Sequence, residues 1–361
     1  MSYRKYPPIV KARREYHGGV IFRERPAFMA HVDNAYADAY GIRETPGSVL
    51  REGVFTAPLD AHLALTTRCD LYCEGCYSVR EGDEPADIKM DTAKAVMDKL
   101  SDLGVFSVSF GGGEPALHPG IFEIAVYARE RSILPNMTTN GLSMTERFAG
   151  QCSVFGNVHF SIHKPCDRER VYAAMRIYRC ATGKRPGLNL LLTKETLPSL
   201  ESIVGGAAES GARKILLLRY KTTAKNAGAR YLDADSELPD LPGRLRKLRL
   251  GAKRIMFLAD CSLFEIFAES GFSDVKPYRR HDSNGCMGAN AYIAIDVNGM
   301  YKPCSFWPET IGSVLDLGFG EWMHNQKLAE FRSMRRGESC ASCAYAELCA
   351  GGCRLFHAPG V

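Results

Sequence analysis

Three cysteines lie close together in the segment Cys69-Asp-Leu-Tyr-Cys73-Glu-Gly-Cys76-Tyr77. Thiolates are metal ligands, and three of them at such short spacings can converge on one metal centre. Structural zinc sites and closed iron–sulfur clusters usually take four protein ligands, so three cysteines leave one coordination position open to an exogenous ligand. The alternative is a zinc site that borrows a distant fourth ligand. The spacing therefore predicts a metal centre and favours one with an open position.

A glycine-rich segment follows the apolar run at residues 105–110. Glycine has no Cβ, so the backbone there can approach a ligand closely. Glu114 supplies a carboxylate that can pair with an ammonium group. A glycine run alone is equally typical of a flexible turn, but this one follows the cysteines by one strand and one helix, which favours a binding loop. The segment is Gly111-Gly112-Gly113-Glu114-Pro115.

A second set of cysteines lies in the C-terminal part of the chain. The pair Asn298-Gly299 predicts a hairpin between strands at residues 292–295 and 300–302, because Asn-Gly supplies the positive φ angles of a tight turn. That hairpin brings Cys286 and Cys304 close together. The set predicts metal ligation, with tetrathiolate zinc as an alternative to iron–sulfur because spacing alone does not separate them. The set is Cys286, Cys304, Cys340, Cys343, Cys349 and Cys353.

The elements that position these residues alternate between strands and helices. Because strand and helix alternate, we expect a parallel sheet that curls into a partial or complete barrel. Ligand sites lie at the carboxyl ends of parallel strands, which is where both the cysteine loop and the glycine-rich loop fall. Strands are predicted at residues 61–69, 105–110, 134–139, 158–162, 188–193 and 214–220, and helices at residues 90–103, 121–131, 168–180, 197–210 and 243–250.

Composition and charge narrow the class of protein. The chain has 361 residues and a formal net charge of +5 without a long single-sign run, which disfavours a dedicated nucleic-acid partner. No apolar stretch approaches the roughly 18 residues of a membrane span, so we expect a cytoplasmic protein with no membrane partner. The expected divisions are an N-terminal arm of uncertain fold at 1–60, a core at 61–235, a bridging segment at 236–280 and a cysteine-rich domain at 281–361.

The thirteen cysteines are too many for a cytoplasmic protein unless most of them bind metal, because lasting disulfides are rare in that compartment. Cys261 is a further possible ligand. Cys152, Cys166 and Cys180 fall in or beside helical patterns and are predicted to be buried apolar residues.

The first cysteine motif, followed by Gly112-Gly113-Glu114-Pro115, resembles the radical S-adenosylmethionine (radical SAM) superfamily over about residues 61–220. The resemblance implies a (β/α)6 partial TIM-type barrel in which Cys69, Cys73 and Cys76 hold a [4Fe-4S] cluster. It also implies that the amino and carboxylate groups of SAM chelate the fourth iron. An electron from the cluster then splits SAM to a 5′-deoxyadenosyl radical, which abstracts a substrate hydrogen.

The same resemblance assigns a set of residues to SAM. Strand-end turn chemistry is the alternative explanation for those that follow the third and fourth strands. The sequence departs from the family at Gly75, where many members have an aromatic residue, and at His163, where relatives often carry Asp. His159 and His163 are more simply core or strand-end histidines than ligands or bases. The SAM residues are Gly112, Gly113, Glu114, Pro115, Thr139, Asn140 and Ser161.

The C-terminal cysteines resemble the SPASM extension of radical SAM peptide and protein maturases, over residues 286–353. The resemblance implies that Cys286, Cys304 and Cys353 hold auxiliary cluster I and that Cys340, Cys343 and Cys349 hold auxiliary cluster II. The usual fourth cysteine of each cluster is absent from its family position. His281 and His357 are candidate substitutes; otherwise an auxiliary cluster has an open iron or is missing.

Auxiliary clusters in such enzymes often accept the electron left by the substrate radical, which implies a net oxidation. Residues 11–23 resemble the lead-in of SPASM enzymes that modify ribosomally made peptides, so the preferred hypothesis is an oxidative crosslink or related change in such a peptide. An external electron donor such as flavodoxin or ferredoxin is implied. The alternatives are oxidation of a small molecule, oxidation of a Ser or Cys side chain of a protein, and a non-enzymatic iron–sulfur electron carrier. Glu114 argues against the carrier.

The sequence identifies no proton acceptor. Arg219 and Tyr301 are expected to have a solvated surface role.

Overall fold

The computed structural model describes residues 6–79, 82–221, 223, 238–251, 255–269, 285–334, 340–349 and 351–357. The N-terminal arm begins with an antiparallel sheet of strands β1 (Val10–Glu15), β2 (Gly18–Arg23) and β3 (Phe28–Val32), followed by helix α1 (Asn34–Ala39). No defined fold was predicted for this arm, because its strands alternate only weakly between buried and exposed positions.

The core is a parallel sheet whose six central strands lie where the apolar runs predict them. Their spatial order follows the chain, as short right-handed crossovers require. Side chains of Leu63, Val108 and Leu190 are fully buried, as expected for strands covered on both faces. The strands are β4 (Asp60–Thr66), β5 (Ser107–Gly112), β6 (Leu134–Thr139), β7 (Val158–Ile162), β8 (Gly187–Leu192) and β9 (Lys214–Arg219). This confirms the α/β class with a partial barrel.

Helices connect the parallel strands and bury their apolar faces on the sheet. In the first of them Val96, Met97 and Leu100 are fully buried at the three and four spacing of an amphipathic helix. Helix α4 (Glu146–Gln151) was not predicted, because it spans only six residues; Thr145 caps it by accepting a hydrogen bond from Phe148 N. The helices are α2 (Met90–Asp102), α3 (Ile121–Glu130), α4 (Glu146–Gln151), α5 (Arg168–Thr182), α6 (Leu200–Glu209) and α7 (Leu241–Gly251).

Both edges of the core sheet are extended by later parts of the chain. Strand β10 (Met256–Ala259) pairs in parallel with β9, so the segment expected to bridge two domains contributes a strand to the sheet. A 3-10 turn (Cys261–Leu263) and helix α8 (Phe264–Glu269) follow it. At the other edge, strand β11 (Tyr292–Ile295) pairs in parallel with β4. The sheet therefore joins the core to the cysteine-rich region.

The predicted C-terminal hairpin is present. Strand β12 (Met300–Lys302) pairs antiparallel with β11 and with β13 (Gly312–Ser313). Asp296 Oδ1 accepts hydrogen bonds of 2.9 Å from Asn298 N and Met300 N, and Gly299 has a φ of 76°. A left-handed backbone at this turn is the conformation that glycine adopts without steric cost.

Three more helices complete the described part of the C-terminal region. They are α9 (Phe319–His324), α10 (Gln326–Ser333) and α11 (Ala346–Cys349), and 3-10 turns lie at Pro115–Leu117, Cys152–Val154, Pro165–Asp167, Leu197–Ser199, Val314–Asp316 and Arg354–His357. Trp322 is fully buried and donates a 2.8 Å hydrogen bond to the carbonyl oxygen of Phe55, which fastens this region to the N-terminal arm. Within the described residues, no helix has the length and apolar character needed to cross a membrane.

Candidate radical SAM and iron–sulfur site

The first three cysteines lie in one loop directly after β4. All three are free, half-buried thiols. Backbone N–H groups donate to two of the sulfurs, from Leu71 to Cys69 and from Ser78 to Cys76, each at 3.4 Å. Burial raises the pKa of the Cys69 thiol to about 11, and the neighbouring Cys73 sulfur contributes in the same direction. A bound metal favours the thiolate, so ligation offsets this cost of burial.

The glycine-rich loop after β5 runs against the backbone that leads into the cysteine loop. A Cβ on Gly112 would come within 2.5 Å of the Thr66 carbonyl oxygen, and a Cβ on Gly113 within 2.0 Å of the Arg68 carbonyl oxygen. Gly113 N donates to Thr66 O at 2.7 Å, and Glu114 N donates to Arg68 O at 2.8 Å. The close approach that the sequence predicts therefore exists, and its partner in this structure is the neighbouring loop.

Glu114 is the buried carboxylate of this region, with a relative exposure of 2%. It accepts hydrogen bonds from Thr139 Oγ1 at 2.8 Å, Asn140 N at 2.7 Å and Ala116 N at 3.1 Å. Burial raises its pKa to about 7, although these hydrogen bonds act in the opposite direction. A carboxylate held in this way can pair strongly with a cation, because little solvent screens it.

The other residues assigned to SAM lie around this carboxylate at different distances. Asn140 Nδ2 donates to Asp70 Oδ1 at 2.5 Å, which joins the end of β6 to the cysteine loop. Pro115 is buried and opens the turn that follows Glu114. Ser161 is also buried, on the neighbouring strand β7, and makes no hydrogen bond to Glu114 in the described part of the chain.

The two histidines of β7 differ in their surroundings. His159 is half-buried and pairs with Asn189 Oδ1 at 2.8 Å, as expected for a structural histidine. His163 follows the strand, and its Nδ1 lies 3.5 Å from the sulfur of Cys73. This contact joins His163 to a cysteine 90 residues earlier in the chain, so no local pattern in the sequence indicates it.

The presence of glycine at position 75 is explained by a residue that follows another strand. Its φ is 76°, and a Cβ there would lie 2.7 Å from the hydroxyl oxygen of Tyr220. Tyr220 follows β9 and is 3% exposed. An aromatic ring from the end of β9 therefore occupies space beside the position where many family members carry an aromatic side chain.

Four thiols from separate parts of the chain come together in the C-terminal region; we name Cys261, Cys286, Cys304 and Cys353 the four-thiol group. The Cys261 thiol is in hydrogen-bond contact with the sulfurs of both Cys286 and Cys353. Cys304 is close enough for the sulfurs of Cys286 and Cys353 to add to the effect of burial, which raises its pKa to about 12. Cys286 and Cys353 are buried, with 6% and 4% relative exposure.

Backbone N–H groups converge on the four-thiol group. Gly288 and Arg354 donate to the Cys286 sulfur, Phe306 donates to Cys304, and Leu355 donates to Cys353. Such donors stabilise thiolates and are common around iron–sulfur clusters.

The remaining cysteines, Cys340, Cys343 and Cys349, form what we name the three-thiol group. Cys343 is exposed and the other two are half-buried. Burial raises the pKa of the Cys349 thiol, and the nearby Glu265 carboxylate and the sulfurs of Cys340 and Cys343 act in the same direction. Neither candidate substitute ligand can be placed: His281 and the side chain of His357 both lie outside the described residues.

The donor sets fit iron–sulfur clusters, since soft thiolates are the ligands these clusters take. In the described part of the chain, no three or more His, Cys, Asp or Glu side chains are arranged to hold a single metal ion. In a four-iron cluster each thiolate binds a different iron, so its ligands need not surround one point.

Two aromatic rings lie between the cysteine loop and the four-thiol group. Tyr77 and Phe306 have ring centroids 4.1 Å apart, and Tyr77 is near the sulfurs of both Cys76 and Cys304. Lys221 Nζ lies 4.5 Å from the centroid of the Phe306 ring and forms an ion pair with Asp260. Tyr77 therefore links the surroundings of the two thiol sites, in contact with a tilted Phe306 ring.

Several expectations about single residues are wrong. Cys166 and Cys180 are exposed, because they lie on the outer side of the turn before α5 and of α5 itself; Cys152 is buried as expected. Arg219 is 2% exposed and pairs with Glu265 at 2.8 Å, and Tyr301 is 1% exposed. Neither has the solvated role that their polar side chains suggested.

Comparison with protein-family models identifies both halves of the site. Residues 63–181 match the radical SAM superfamily, and residues 286–344 match SPASM, an iron–sulfur cluster-binding domain. These ranges contain the cysteine loop, Glu114 and four of the C-terminal cysteines.

Similar proteins fall into two functional groups. Mycofactocin maturase MftC from Mycolicibacterium smegmatis is 25% identical over 317 residues, which cover 82% of this chain and 78% of that protein. The AdoMet-dependent heme synthase of Methanosarcina barkeri is 24% identical over 321 residues, covering 80% and 89%.

The structure of SuiB from Streptococcus suis bound to S-adenosylmethionine superposes with a TM-score of 0.76 at 16% identity, covering 98% of this chain and 96% of SuiB. At that identity the likeness shows a shared fold. The chain therefore contains a radical SAM domain and a C-terminal SPASM domain and is an enzyme, and these two domains imply [4Fe-4S] clusters and S-adenosylmethionine as its cofactors.

Proposed function

We propose that this enzyme installs a crosslink or a related net oxidative change in a ribosomally made peptide. The chemistry that the bound cofactors supply is a 5′-deoxyadenosyl radical that abstracts a hydrogen atom from the substrate. The protein's part is to hold the cofactors, orient SAM and receive the peptide.

Cys69, Cys73 and Cys76 are the proposed ligands of the SAM-binding cluster. Their loop adjoins Glu114, whose charge acts on Cys69. We assign Glu114 to the amino group of SAM, whose N–H groups can donate hydrogen bonds to this buried carboxylate. Thr139 and Asn140 fix the direction of that carboxylate through their hydrogen bonds.

The further SAM contacts are assigned by the same reasoning about position. Gly112 and Gly113 form the turn that presents Glu114, and Pro115 fixes the backbone that follows it. Ser161 is at the end of the adjacent strand β7, on the edge of the sheet that carries Thr139 and Asn140.

The C-terminal cysteines are the proposed ligands of auxiliary clusters, which accept the electron that a net oxidation releases. The rings of Tyr77 and Phe306 are in contact, and Tyr77 is near the sulfurs of both Cys76 and Cys304. This proximity of the two thiol sites is compatible with electron transfer between them.

The N-terminal sheet is the observation that supports a peptide substrate. Strand β3 pairs only with β2 among the described residues, and its Phe28 and Met29 are each 43% exposed. An exposed edge strand offers unpaired N–H and C=O groups to an extended peptide. A structure of SuiB bound to its precursor peptide SuiA aligns with 96% of this chain, including this arm.

A small-molecule substrate is the second candidate, and the similarity to the AdoMet-dependent heme synthase favours it. That relative is nearly as similar in sequence as the mycofactocin maturase, so sequence identity does not separate the two.

The test is 5′-deoxyadenosine formation by anaerobic holoenzyme with SAM and dithionite, with and without synthetic peptides encoded beside its gene. We expect peptide-dependent 5′-deoxyadenosine and a product lighter by two hydrogen atoms in mass spectrometry. A Phe28→Asp, Met29→Asp variant is expected to form no 5′-deoxyadenosine in response to the peptide. The control Val10→Asp, at a residue with 64% relative exposure, is expected to respond as the wild type does. Turnover that no peptide alters contradicts the proposal and favours the small molecule.

The remaining assignments stay proposals. We place domain boundaries near residues 60, 235 and 280. We also propose a cytoplasmic location, because iron–sulfur ligation needs reduced thiols, and an external donor such as flavodoxin or ferredoxin.

A further inference from the structure

We propose that Cys261 supplies the fourth thiolate of the auxiliary cluster held by Cys286, Cys304 and Cys353, so that protein ligands close this cluster completely. The inference rests on the proposed iron–sulfur role of the C-terminal cysteines. It replaces the expectation of an open iron or a histidine ligand there.

The local sequence does not provide that ligand. Arg280 and His281 stand where a cysteine five or six residues before Cys286 would be, and neither is a thiol. Cys261 lies 25 residues before Cys286, a spacing that no short motif suggests.

Side-chain contacts bring Cys261 into the group. Its thiol contacts the sulfurs of Cys286 and Cys353, which are themselves near Cys304. Its carbonyl oxygen lies 3.6 Å from the place where a Cβ on Gly352 would be, so its backbone packs beside the residue that precedes Cys353.

The fold fixes the position of Cys261 firmly. Strand β10 pairs in parallel with β9, and Asp260 N donates to Leu217 O at 3.1 Å. Asp260 Oδ1 then accepts from Ser262 N at 3.0 Å and caps the turn that begins with Cys261. Arg219 holds the same turn through the Ser262 carbonyl at 3.3 Å. The thiol therefore projects from a sheet edge rather than from a loose loop.

The charge of the surroundings suits four thiolates. Lys221 is 4% exposed, and the sulfurs of Cys261 and Cys353 are both near its ammonium group. A buried cation beside a cluster compensates part of the negative charge that four thiolates bring.

Closure has a mechanistic consequence. A cluster with four protein ligands has no open iron for substrate, so this site carries electrons, and any open auxiliary iron belongs to the three-thiol group. The two auxiliary sites then differ in kind, because the four-thiol group takes Cys261 from the turn after β10, whereas the three-thiol group lies entirely in the C-terminal cysteine-rich segment.

The test isolates the four-thiol group in the full-length chain. A background with alanine at Cys69, Cys73, Cys76, Cys340, Cys343 and Cys349 retains only this group, and its iron content does not depend on SAM chemistry or on any substrate. We expect about 4 iron per chain in it and an electron paramagnetic resonance (EPR) signal that added imidazole or cyanide does not change.

Adding Cys261→Ala to this background is expected to remove iron or to give a signal that responds to those ligands. Cys261→Ser preserves size and serves where the alanine variant does not fold, and Cys180→Ala, at an exposed cysteine, is the control. Unchanged iron and an unchanged signal in the Cys261 variants overturn the proposal, as does zinc in place of iron. Absence of peptide modification by the wild-type holoenzyme, with intact iron in this group, would instead count against the proposed function alone.

Discussion

The cysteine loop after β4 and the four-thiol group are both suited to bind an iron–sulfur cluster, but they offer different numbers of protein ligands. The loop offers three half-buried thiols beside a buried carboxylate, Glu114. The four-thiol group offers four sulfurs beside a buried lysine, Lys221, which forms an ion pair with Asp260. One site thus leaves room for a cationic ligand, and the other is complete.

The difference shows how one sheet serves two functions. Both sites lie near the carboxyl ends of parallel strands, the first after β4 and the second after β10. A site made from one short loop must take its missing ligand from outside, whereas a site made from four distant segments can close on itself. Four changes would break or sharpen this comparison.

The largest effect is expected when Cys69, Cys73 and Cys76 are all changed to alanine. The variant should lose about 4 iron per chain and every SAM-dependent change in the EPR signal, because only the open site binds SAM. The C-terminal clusters should remain. Cys180→Ala, an exposed position on α5, is the control. Full SAM response in the triple variant would contradict the assignment of the open site.

Glu114→Gln should weaken SAM binding by about tenfold to about 100-fold, since the charge-assisted hydrogen bond from the SAM amino group to the carboxylate is lost. In the wild type, burial raises the Glu114 pKa to about 7, and the ionised carboxylate is the stronger hydrogen-bond acceptor. SAM affinity should therefore rise with pH up to about 7 and level off above it. Calorimetric titration across this range checks both statements; an equally steep pH profile in Glu114→Gln would assign the titration to another group.

Gly75→Ala should destabilise the open site through Tyr220. Gly82→Ala is the matched control, because Gly82 has a φ of 90° but no heavy atom within 4 Å of its Cβ position. Both variants share the backbone penalty, so the excess loss at Gly75, about 1–3 kcal/mol, measures the contact. Anaerobic urea unfolding gives the two values. Adding Tyr220→Ala should remove the excess, and equal losses in both single variants would show that the contact does not matter.

Lys221→Met should shift the midpoint potential of the closed cluster to more negative values, on the order of tens of millivolts. A nearby cation stabilises the reduced, more negative cluster, and its removal makes reduction harder. Lys94→Met, which removes an exposed lysine paired with Glu123, should leave the potential unchanged. EPR-monitored redox titration compares the two, and identical potentials would place Lys221 outside the electrostatic reach of the cluster.

The sequence predicted the repeating part of the fold well. Strands β6 and β7 and the C-terminal hairpin have the predicted bounds, since apolar runs and an Asn-Gly turn are local signals. It missed the N-terminal sheet and β10, because short strands owe their stability to partners far away in the chain. The buried Arg219 was missed for the same reason: its partner Glu265 belongs to a helix 46 residues later.

The sequence by itself was enough to propose the ligands of the open site. Cys69, Cys73 and Cys76 lie within one loop, and their short spacing keeps the three thiols close together. Only the tertiary structure decided how the second site is completed and what surrounds the first. Cys261 reaches Cys286 and Cys353 because β10 pairs with β9, and Tyr220 fills the space above Gly75 because β9 ends beside the cysteine loop. Contacts between distant segments depend on sheet pairing and packing, which no local pattern records.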